Sequence, residues 1–443
     1  MDDLNLLSDL IARARAAGAD EADALLIAGT SLGVQLRFGH TEHLERAENR
    51  DLGLRVFVGR QQAVVSSSSV DPAGFALLAE RAVAMARVVP EDPYAGLAEL
   101  ATAPDDAAPL ELDDPAEPDA EILIARAATA EAAALAVPGV TKSEGADAGY
   151  GRTVIVLASS AGFAGRFSRS SHSVSASVLA GSGTAMQRDY DYATAVHLAD
   201  LDDAAKIGRT AGERAVARLN PARPKTGKIP VIYDPRVAGG LISHFASAIN
   251  GASVARGTSF LKDRMGQRIF APGIAVVDDP RRRRGLRSRP FDGEGVPTHE
   301  RTLIEDGVLL SWLLDSRSAR QLGLQSTGHA SRGTGGPPSP AASNLFLRPG
   351  TLSPSELMAD IREGIYVTEL IGMGINMVTG DYSRGAAGFM IRDGVLAEPV
   401  AEVTIAGTLP EMFAALVPAN DLVFRRGTDS PTVRVDGMTL AGA

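Results

Sequence analysis

Apolar side chains recur at helical spacing in the first residues of the chain. Between residues 3 and 17 they stand three, four and seven positions apart, and Gly18 follows as a stop signal. This spacing predicts an amphipathic helix at the start. The same pattern predicts further helices over residues 73–86, 120–136 and 203–218.

Short runs rich in Val, Leu and Ile alternate with these helices. They cover residues 24–28, 33–38, 52–58 and 62–67, and later 153–158, 165–180 and 184–190. Glycine or charged turns separate the first four runs, which favours an antiparallel sheet. The segment Gly29-Thr30-Ser31-Leu32-Gly33 matches the G-x-S-x-G pattern of serine hydrolases, but it joins two predicted strands. We therefore predict a hairpin turn there.

Two changes in composition divide the chain. Residues 89–119 are rich in Pro, Asp, Glu and Ala and predict a solvated connector, and two prolines in 221–224 mark a second boundary. Beyond it, strands are predicted at 229–233, 273–277, 307–313 and 401–405, with helices at 237–249 and 353–364. The predicted fold is α+β: an N-terminal mixed α/β region with an antiparallel sheet, then a β-rich C-terminal domain with a few helices. The expected segments are 1–88, 89–119, 120–224 and 225–443.

Composition narrows the possible functions. The 443 residues carry a formal net charge of -10, so a general affinity for nucleic acid is not expected. The absence of cysteine excludes disulfides, thiolate nucleophiles and cysteine-ligated zinc. There is neither a signal-peptide pattern nor a run of about 18 apolar residues. We therefore expect a cytoplasmic location and no membrane contact.

Histidines are the remaining candidates for metal binding. His299-Glu300 begins a zinc-peptidase motif, but Leu303 and Ile304 stand where a second histidine would be needed. His40 and His43 lie three apart near a strand end, so they point to opposite faces. We expect structural or solvated roles for all three histidines.

Two other segments could hold an anion. Arg281–Arg284, extended by two further arginines, is flanked by Asp278, Asp279, Asp292 and Glu294, which predicts a locally neutralised loop. Contact with an acidic peptide or a partner is the alternative. The glycine-rich stretch at 332–336 lacks the lysine of a P-loop, so a flexible turn is predicted.

A set of motifs spread along the chain is similar to one known family. They are Phe291-Asp292-Gly293-Glu294-Gly295, Ser326-Thr327-Gly328-His329-Ala330 and Asn376-Met377-Val378-Thr379-Gly380-Asp381-Tyr382-Ser383-Arg384-Gly385-Ala386-Ala387-Gly388-Phe389. On these residues the chain resembles the TldD/PmbA (modulator of DNA gyrase) peptidase family, in its PmbA/TldE branch. The likeness covers nearly the whole length.

The resemblance implies a division of labour between two subunits. TldD-like members carry an H-E-x-x-x-H zinc motif on the helix predicted here at 237–249, where this chain reads His244, Phe245 and, in the last position, Ile249. The first ligand remains, whereas the acid and the second histidine are replaced. The family pattern implies a cytoplasmic heteromer in which a TldD-like partner holds zinc and cleaves peptides. This chain would then carry no cofactor and be catalytically inactive alone.

The last of these motifs, residues 376–389, is called the signature segment. It offers possible contacts to a substrate or a partner, at Gly380, Asp381, Tyr382, Ser383, Arg384 and Gly385. Its small residues would let a peptide approach the backbone and pair with an exposed strand edge. The alternative is that the segment packs the core or a subunit interface. Two other functions also stay open: a regulatory peptide-binding protein, and an autonomous metallopeptidase using scattered groups such as His244, His299 and Asp381.

Overall fold

The computed structural model describes residues 2–99 and 107–442. The α-helices of this part are α1 (Asp3–Ala16), α2 (Phe75–Ala86), α3 (Ala120–Leu135), α4 (Ala204–Ala217), α5 (Pro235–Ala248), α6 (Gly251–Ala255), α7 (Ser316–Leu322), α8 (Pro354–Met358) and α9 (Leu409–Ala414). The helices predicted at 3–17, 73–86, 120–136, 203–218 and 237–249 are confirmed as α1 to α5. Each buries its apolar stripe, as Leu7 and Leu10 of α1 do.

One antiparallel sheet of six strands forms the N-terminal half, in the order β3-β2-β1-β4-β5-β6. Its strands are β1 (Glu21–Arg37), β2 (His40–Val58), β3 (Gln61–Ser67), β4 (Val140–Ser159), β5 (Ala164–Ala180) and β6 (Gln187–Ala195). Helices α1 and α2 cover one part of the sheet, and α3 and α4 cover another. Strands from both sides of the connector share this sheet, and the finer division into subdomains stays a prediction.

Strand β1 runs without interruption through the predicted hairpin turn at 29–33. Thr30 is paired with Glu48 on β2 and with Arg152 on β4, so the backbone is held on both sides. The turn prediction was wrong because pairing with two neighbours outweighs the local preference of glycine for turns. A strand end near His40 and His43 is confirmed, since both lie at the start of β2.

The connector is only partly what its composition predicts. Arg317 on α7 forms an ion pair of 2.5 Å with Asp92, and Arg320 donates to the Tyr94 and Gly96 carbonyl oxygens. Leu97 is buried. The connector is therefore fastened to the C-terminal half at 92–97 rather than solvated, and residues 100–106 lie outside the described part.

Five strands of the C-terminal half close into a ring. They are β7 (Gly227–Tyr233), β14 (Glu363–Ile375), β15 (Asp381–Arg392), β16 (Val395–Thr408) and β19 (Val433–Ala441). The order is β16-β15-β14-β7-β19, and β19 also pairs with β16, while β17 (Leu416–Pro418) extends from β19. A predicted strand at 401–405 lies within β16.

A second, smaller sheet has the order β10-β9-β8-β13-β18. Its strands are β8 (Val276–Asp278), β9 (Arg301–Glu305), β10 (Val308–Leu309), β13 (Leu345–Leu347) and β18 (Thr428–Asp429), and a separate pair is formed by β11 (Ala330–Ser331) and β12 (Ser339–Pro340). The predicted strand at 307–313 is limited to β10 because the Leu313 amide and carbonyl bond instead to Ile249 and Gly251 beside α5.

The helix predicted at 353–364 is shorter than expected. A capping box between Ser353 and Glu356 starts α8, but β14 begins at Glu363, where ring pairing takes over. Despite these differences, the predicted α+β class is confirmed. An antiparallel sheet forms the N-terminal part, and a strand-rich region follows it. In the described residues, none of the helices is long and apolar enough to cross a membrane.

Candidate functional site

Helix α5 carries the histidine predicted as a remnant ligand. The helix follows β7 directly, with Asp234 as its N-cap and Pro235 in the first turn, both of which favour a helix start. His244 is half-buried two turns later. Its ring meets the ring of Tyr382 on β15 edge to face, with the centroids 6.2 Å apart. The prediction that His244 lies on a helix behind a strand is confirmed.

The other two positions of this window face the core. Phe245 and Ile249 are both 0% exposed. The Phe245 ring packs edge-on against Phe270 at 5.4 Å and Phe413 at 6.3 Å, between ring centroids. A side chain at either position therefore points into hydrocarbon, away from any solvent that could deliver a metal ion.

The surroundings of His244 are electropositive. Side chains alternate along a strand, so Arg384 lies on the same face of β15 as Tyr382 and towards His244. Burial, together with the Arg384 guanidinium, lowers the pKa of His244 to about 4. Arg384 donates to the Ile371 carbonyl oxygen at 3.3 Å and has no carboxylate partner among the described residues. A cation beside the imidazole repels a metal ion.

These residues do not fit a zinc ion. A structural or catalytic zinc site needs at least three protein ligands, and α5 offers one imidazole next to a guanidinium. Across residues 2–99 and 107–442 there is no group of three His, Cys, Asp or Glu side chains that could hold a metal ion. No chemical step can therefore be derived through a metal at this window.

Residues 376–380 of the signature segment form the turn between β14 and β15, and the rest of the segment lies on β15. The Asn376 side-chain oxygen accepts from the Val378 amide at 2.9 Å, and the Thr379 hydroxyl donates to Asp381 at 2.6 Å. Gly380 has a φ of 86°, and a Cβ there would lie 2.8 Å from Pro410. This glycine is needed both for its backbone conformation and for packing.

The predicted contacts divide between two faces of β15. Asp381 and Ser383 are exposed on the face opposite Tyr382 and Arg384. Strand β15 is paired with β14 on one side and β16 on the other, so the segment offers no free strand edge, and that part of the prediction was wrong. Contact between a substrate and these side chains stays a prediction, as it does for Gly380 and Gly385.

Three large apolar side chains stand out from this hairpin. Ile371 is 59% exposed, Met373 88% and Val378 60%. Ile371 and Met373 lie near the end of β14, where Arg384 bonds to Ile371, and Val378 lies in the turn that follows. Clustered exposed apolar side chains on a soluble surface are typical of contact sites for other molecules.

Two further histidines considered as ligands, His299 and His43, lie outside α5. His299 and Arg301 line a cavity of about 640 Å³, and Leu303 and Ile304 are buried in β9, so no ligand follows His299. His43 lies 3.1 Å from Glu45 on the exposed part of β2. These positions agree with the structural or solvated roles expected for them.

Sequence reasoning missed a buried network of charges between the two halves. Asp23 on β1 contacts Arg55 on β2 and, at 2.6 Å, Arg332 of the C-terminal half. Arg55 in turn lies 3.8 Å from Glu294. The stretch at 332–336, predicted as a flexible turn, is therefore held in place by Arg332. Thr334 also packs closely on Gly53, since a Cβ added to Gly53 would lie 2.4 Å from the Thr334 carbonyl oxygen.

The neutralisation predicted for the arginine run is confirmed for two of its members, Arg283 and Arg284, whose partners are acids outside the flanking residues. Glu111 and Asp200 accept from Arg283 and Arg284, and the arginines lower the pKa of Glu111 to about 2. The flanking Asp292 is buried and acts on Arg289 instead. Partners about 80 and 170 residues away in the sequence could not be read from the flanking residues.

Models of one family match this chain along most of its length. They are the PmbA/TldA metallopeptidase domain 1 over residues 22–86, the central domain over 113–219 and the C-terminal domain over 226–442.

Curated relatives match over similar spans. The Metalloprotease PmbA of Escherichia coli O157:H7 is 37% identical over 96% of this chain and 92% of its own length. The Metalloprotease PmbA homolog of Haemophilus influenzae is 35% identical over 93% and 90%.

Solved structures share the fold. A protein of Bacteroides thetaiotaomicron described as a candidate modulator of DNA gyrase superimposes with a TM-score of 0.90 at 25% identity, covering 99% of this chain and 98% of that one. TldE of Thermococcus kodakarensis superimposes with a TM-score of 0.88 at 20% identity, covering 99% and 100%.

Proposed function

This chain belongs to the PmbA/TldD metallopeptidase family, and within that family we propose that it is the subunit of a heteromeric peptidase that does not bind the metal. In this proposal a TldD-like subunit holds the zinc and cuts small or unfolded peptides in the cytoplasm. The present chain completes the enclosure in which the peptide is held. Its role is TldE-like, in protein breakdown or peptide maturation.

The environment of His244 is the observation that carries the proposal. Its two companions in the helical window, Phe245 and Ile249, are fully buried in an aromatic core. Arg384 supplies a positive charge on the remaining open side. A zinc ion beside His244 would need two more ligands and a base to activate water. The Arg384 guanidinium would also have to move away to make room for it.

The same residues suit a supporting role. With a pKa of about 4, His244 is neutral at neutral pH and can accept or donate a hydrogen bond. Arg384 has guanidinium N–H groups left over after its bond to Ile371, and they can donate to a peptide carbonyl or a terminal carboxylate. The chain would thus hold and orient a peptide while the partner supplies the chemistry.

The decisive experiment compares three purified samples. They are this chain alone, a family member from the same cell that has an intact H-E-x-x-x-H motif, also alone, and the two proteins together after co-expression. Zinc content and cleavage of an unfolded peptide are measured for each sample. We expect substoichiometric zinc and no cleavage from this chain alone, and cleavage from the mixture that exceeds that of the partner.

Two results would contradict the proposal in different ways. One zinc per chain with cleavage by this chain alone would make it an autonomous metallopeptidase. Failure to associate with any zinc-bearing family member, together with peptide binding, would favour a regulatory peptide-binding protein. The variant His244→Asn separates the first case further, because it should remove zinc only if His244 is a ligand.

A further inference from the structure

A cavity of about 310 Å³ lies between the N-terminal sheet and the C-terminal half, away from His244. Its wall is formed on one side by residues 194–196 at the end of β6 together with Asp200, and on the other by two loops, 282–286 and 424–427. Five arginines and two aspartates line it: Arg282, Arg283, Arg284, Arg425, Arg426, Asp200 and Asp429. Its lining therefore carries an excess of positive charge.

Arg282 lines the cavity with its guanidinium stacked on an aromatic ring. Its guanidinium carbon lies 3.3 Å from the centroid of the Phe424 ring, and the stacking fixes the guanidinium plane. Its side chain forms neither a hydrogen bond nor an ion pair with any described residue. Burial lowers the pKa of Arg282, and the carboxylates of Asp279 and Asp429 offset this only in part.

Arg426 contributes a second incompletely bonded guanidinium. One terminal nitrogen donates to the carbonyl oxygens of Pro235, at 3.2 Å, and Arg236, at 2.7 Å, but the buried Nε has no partner among the described residues. Arg425 reaches Asp202 only at 3.4 Å. Carbonyl oxygens orient a guanidinium without neutralising it, so its charge remains available to a ligand.

The nearby acids are already bound to other donors. The Asp429 carboxylate accepts from the backbone amides of Arg425, Arg426 and Gly427 at 2.9–3.1 Å, which shapes the loop. Asp200 binds Arg284. Among the described residues neither acid forms an ion pair with Arg282 or Arg426, so the positive charge at the centre of the cavity is only partly offset, by Asp279 and Asp429 acting on Arg282 from a distance.

We propose that this cavity is a binding site for a phosphate group, held between Arg282 and Arg426 and contacting both halves of the molecule. Guanidinium forks match the oxygens of a phosphate group, and charge-assisted hydrogen bonds to it are strong. The volume of about 310 Å³ leaves room for a small organic group attached to the phosphate. The site is separate from the peptide-holding role proposed above and does not depend on a partner subunit.

Isothermal titration of the purified full chain with inorganic phosphate tests this site, with chloride keeping the ionic strength constant. We expect saturable binding with a Kd below about 1 mM, as a few charge-assisted hydrogen bonds provide. Titration with phosphoserine distinguishes the source: tighter binding than inorganic phosphate indicates an organic phosphate ester, and weaker binding indicates free phosphate.

Variants connect the binding to the cavity. Arg282→Gln and, separately, Arg426→Gln should each weaken phosphate binding about tenfold or more, the loss expected for a hydrogen bond to a charged group. The phosphate affinity of Arg282→Lys should lie between those of wild type and Arg282→Gln, because lysine keeps the positive charge but loses the paired N–H donors of the guanidinium. Arg264→Gln is the matched control, since Arg264 is exposed, bonds to Gln267 and lies outside the cavity.

Several outcomes would overturn the proposal. Phosphate can stabilise proteins without binding a site, so a linear, non-saturating response shared with sulfate would count against it. So would saturable binding that both glutamine variants leave unchanged. If one variant does not fold, the other still decides, and absence of saturation in the wild-type chain refutes the site by itself.

Discussion

Two carboxyl groups of one short motif are buried where the halves of the molecule meet. Asp292 and Glu294 are 2% and 7% exposed. The Asp292 carboxylate accepts from the amides of Glu294, Val296 and Ala330 at 2.8–3.0 Å. Burial, together with the neighbouring Glu294 carboxylate, raises the pKa of Asp292 to about 7. Burial likewise raises the pKa of Glu294.

This shift makes the stability of the protein depend on pH. An unfolded Asp has a pKa of about 4, so between roughly pH 4 and pH 7 the folded protein binds more protons than the unfolded chain. The contribution of Asp292 to the free energy of unfolding is therefore greatest at low pH and is lost as pH rises through about 7. We expect Asp292→Asn to flatten this part of the pH profile, measured by urea unfolding from pH 4.5 to 7.5.

The asparagine variant should also be less stable, by about 1–3 kcal/mol at pH 5, because its amide nitrogen cannot accept from the Ala330 amide. Asp263→Asn is the control, since the Asp263 side chain is 85% exposed. An unchanged slope in Asp292→Asn would show that other groups cause the pH dependence.

At this scale the sequence predicted the helical position of His244 but not its surroundings. Helical spacing and the preceding strand were enough to locate α5. The charge that makes His244 unsuitable for a metal comes from Arg384, which is 140 residues further along the chain. The replacement of two motif residues was visible in the sequence, whereas the burial of Phe245 and Ile249 became visible only with the packing of Phe270 and Phe413.

The tip of the β14–β15 hairpin exposes large apolar side chains to solvent. Ile371, Met373 and Val378 are exposed near the hairpin tip, with Met373 at 88%, and none of the three belongs to a hydrophobic cluster of the described residues. If the chain joins a zinc subunit as proposed, we expect this tip to lie in the interface. Burial of such a side chain contributes to association, and an aspartate there would be desolvated at a cost.

Met373→Asp should therefore leave the melting temperature of the isolated chain within about 1 °C of wild type while weakening association with the zinc subunit by about tenfold or more. Association is measured by titrating labelled chains. Leu77→Asp on α2 is the control because Leu77 is 63% exposed in the other half of the molecule. Equal affinities for the two variants would place the interface elsewhere.

Elements were predicted with uneven success, for physical reasons. The long helices α1 to α5 were found because each buries one regular apolar stripe. The first half of β2, residues 40–50, is exposed throughout and shows no apolar alternation, so nothing local marks it as a strand. Its strand pairing among the described residues is with β1, and such long-range pairing is not encoded in a local pattern.

At the scale of the whole molecule, the two halves are joined by charges as well as by the connector. The side chains of Asp23 and Arg332 are each 3% exposed, and Arg55 is 4% exposed. Removing the carboxylate would leave two arginines buried beside each other. A loss of one partner from a buried pair of this kind costs about 3–5 kcal/mol.

We therefore expect Asp23→Asn to lower the free energy of unfolding by about this amount and to separate the melting of the two halves in a calorimetric scan. Asp9→Asn is the matched control, because Asp9 pairs with Arg13 at the exposed surface of α1, where a pair contributes about 0.3–0.5 kcal/mol. Similar small effects for the two variants would show that the buried network does not couple the halves.

The ring of β7, β14, β15, β16 and β19 has a consequence for how the chain acquires its structure during synthesis. Strand β7 lies between β14, made more than 120 residues later, and β19, which follows every other strand of the ring. Until Val433–Ala441 has left the ribosome, β16 and β7 each expose an unpaired edge that can join another chain. The N-terminal sheet can form early, but the half that carries His244 must wait for its final strand, so a ribosome that stalls before residue 433 releases a product prone to aggregation.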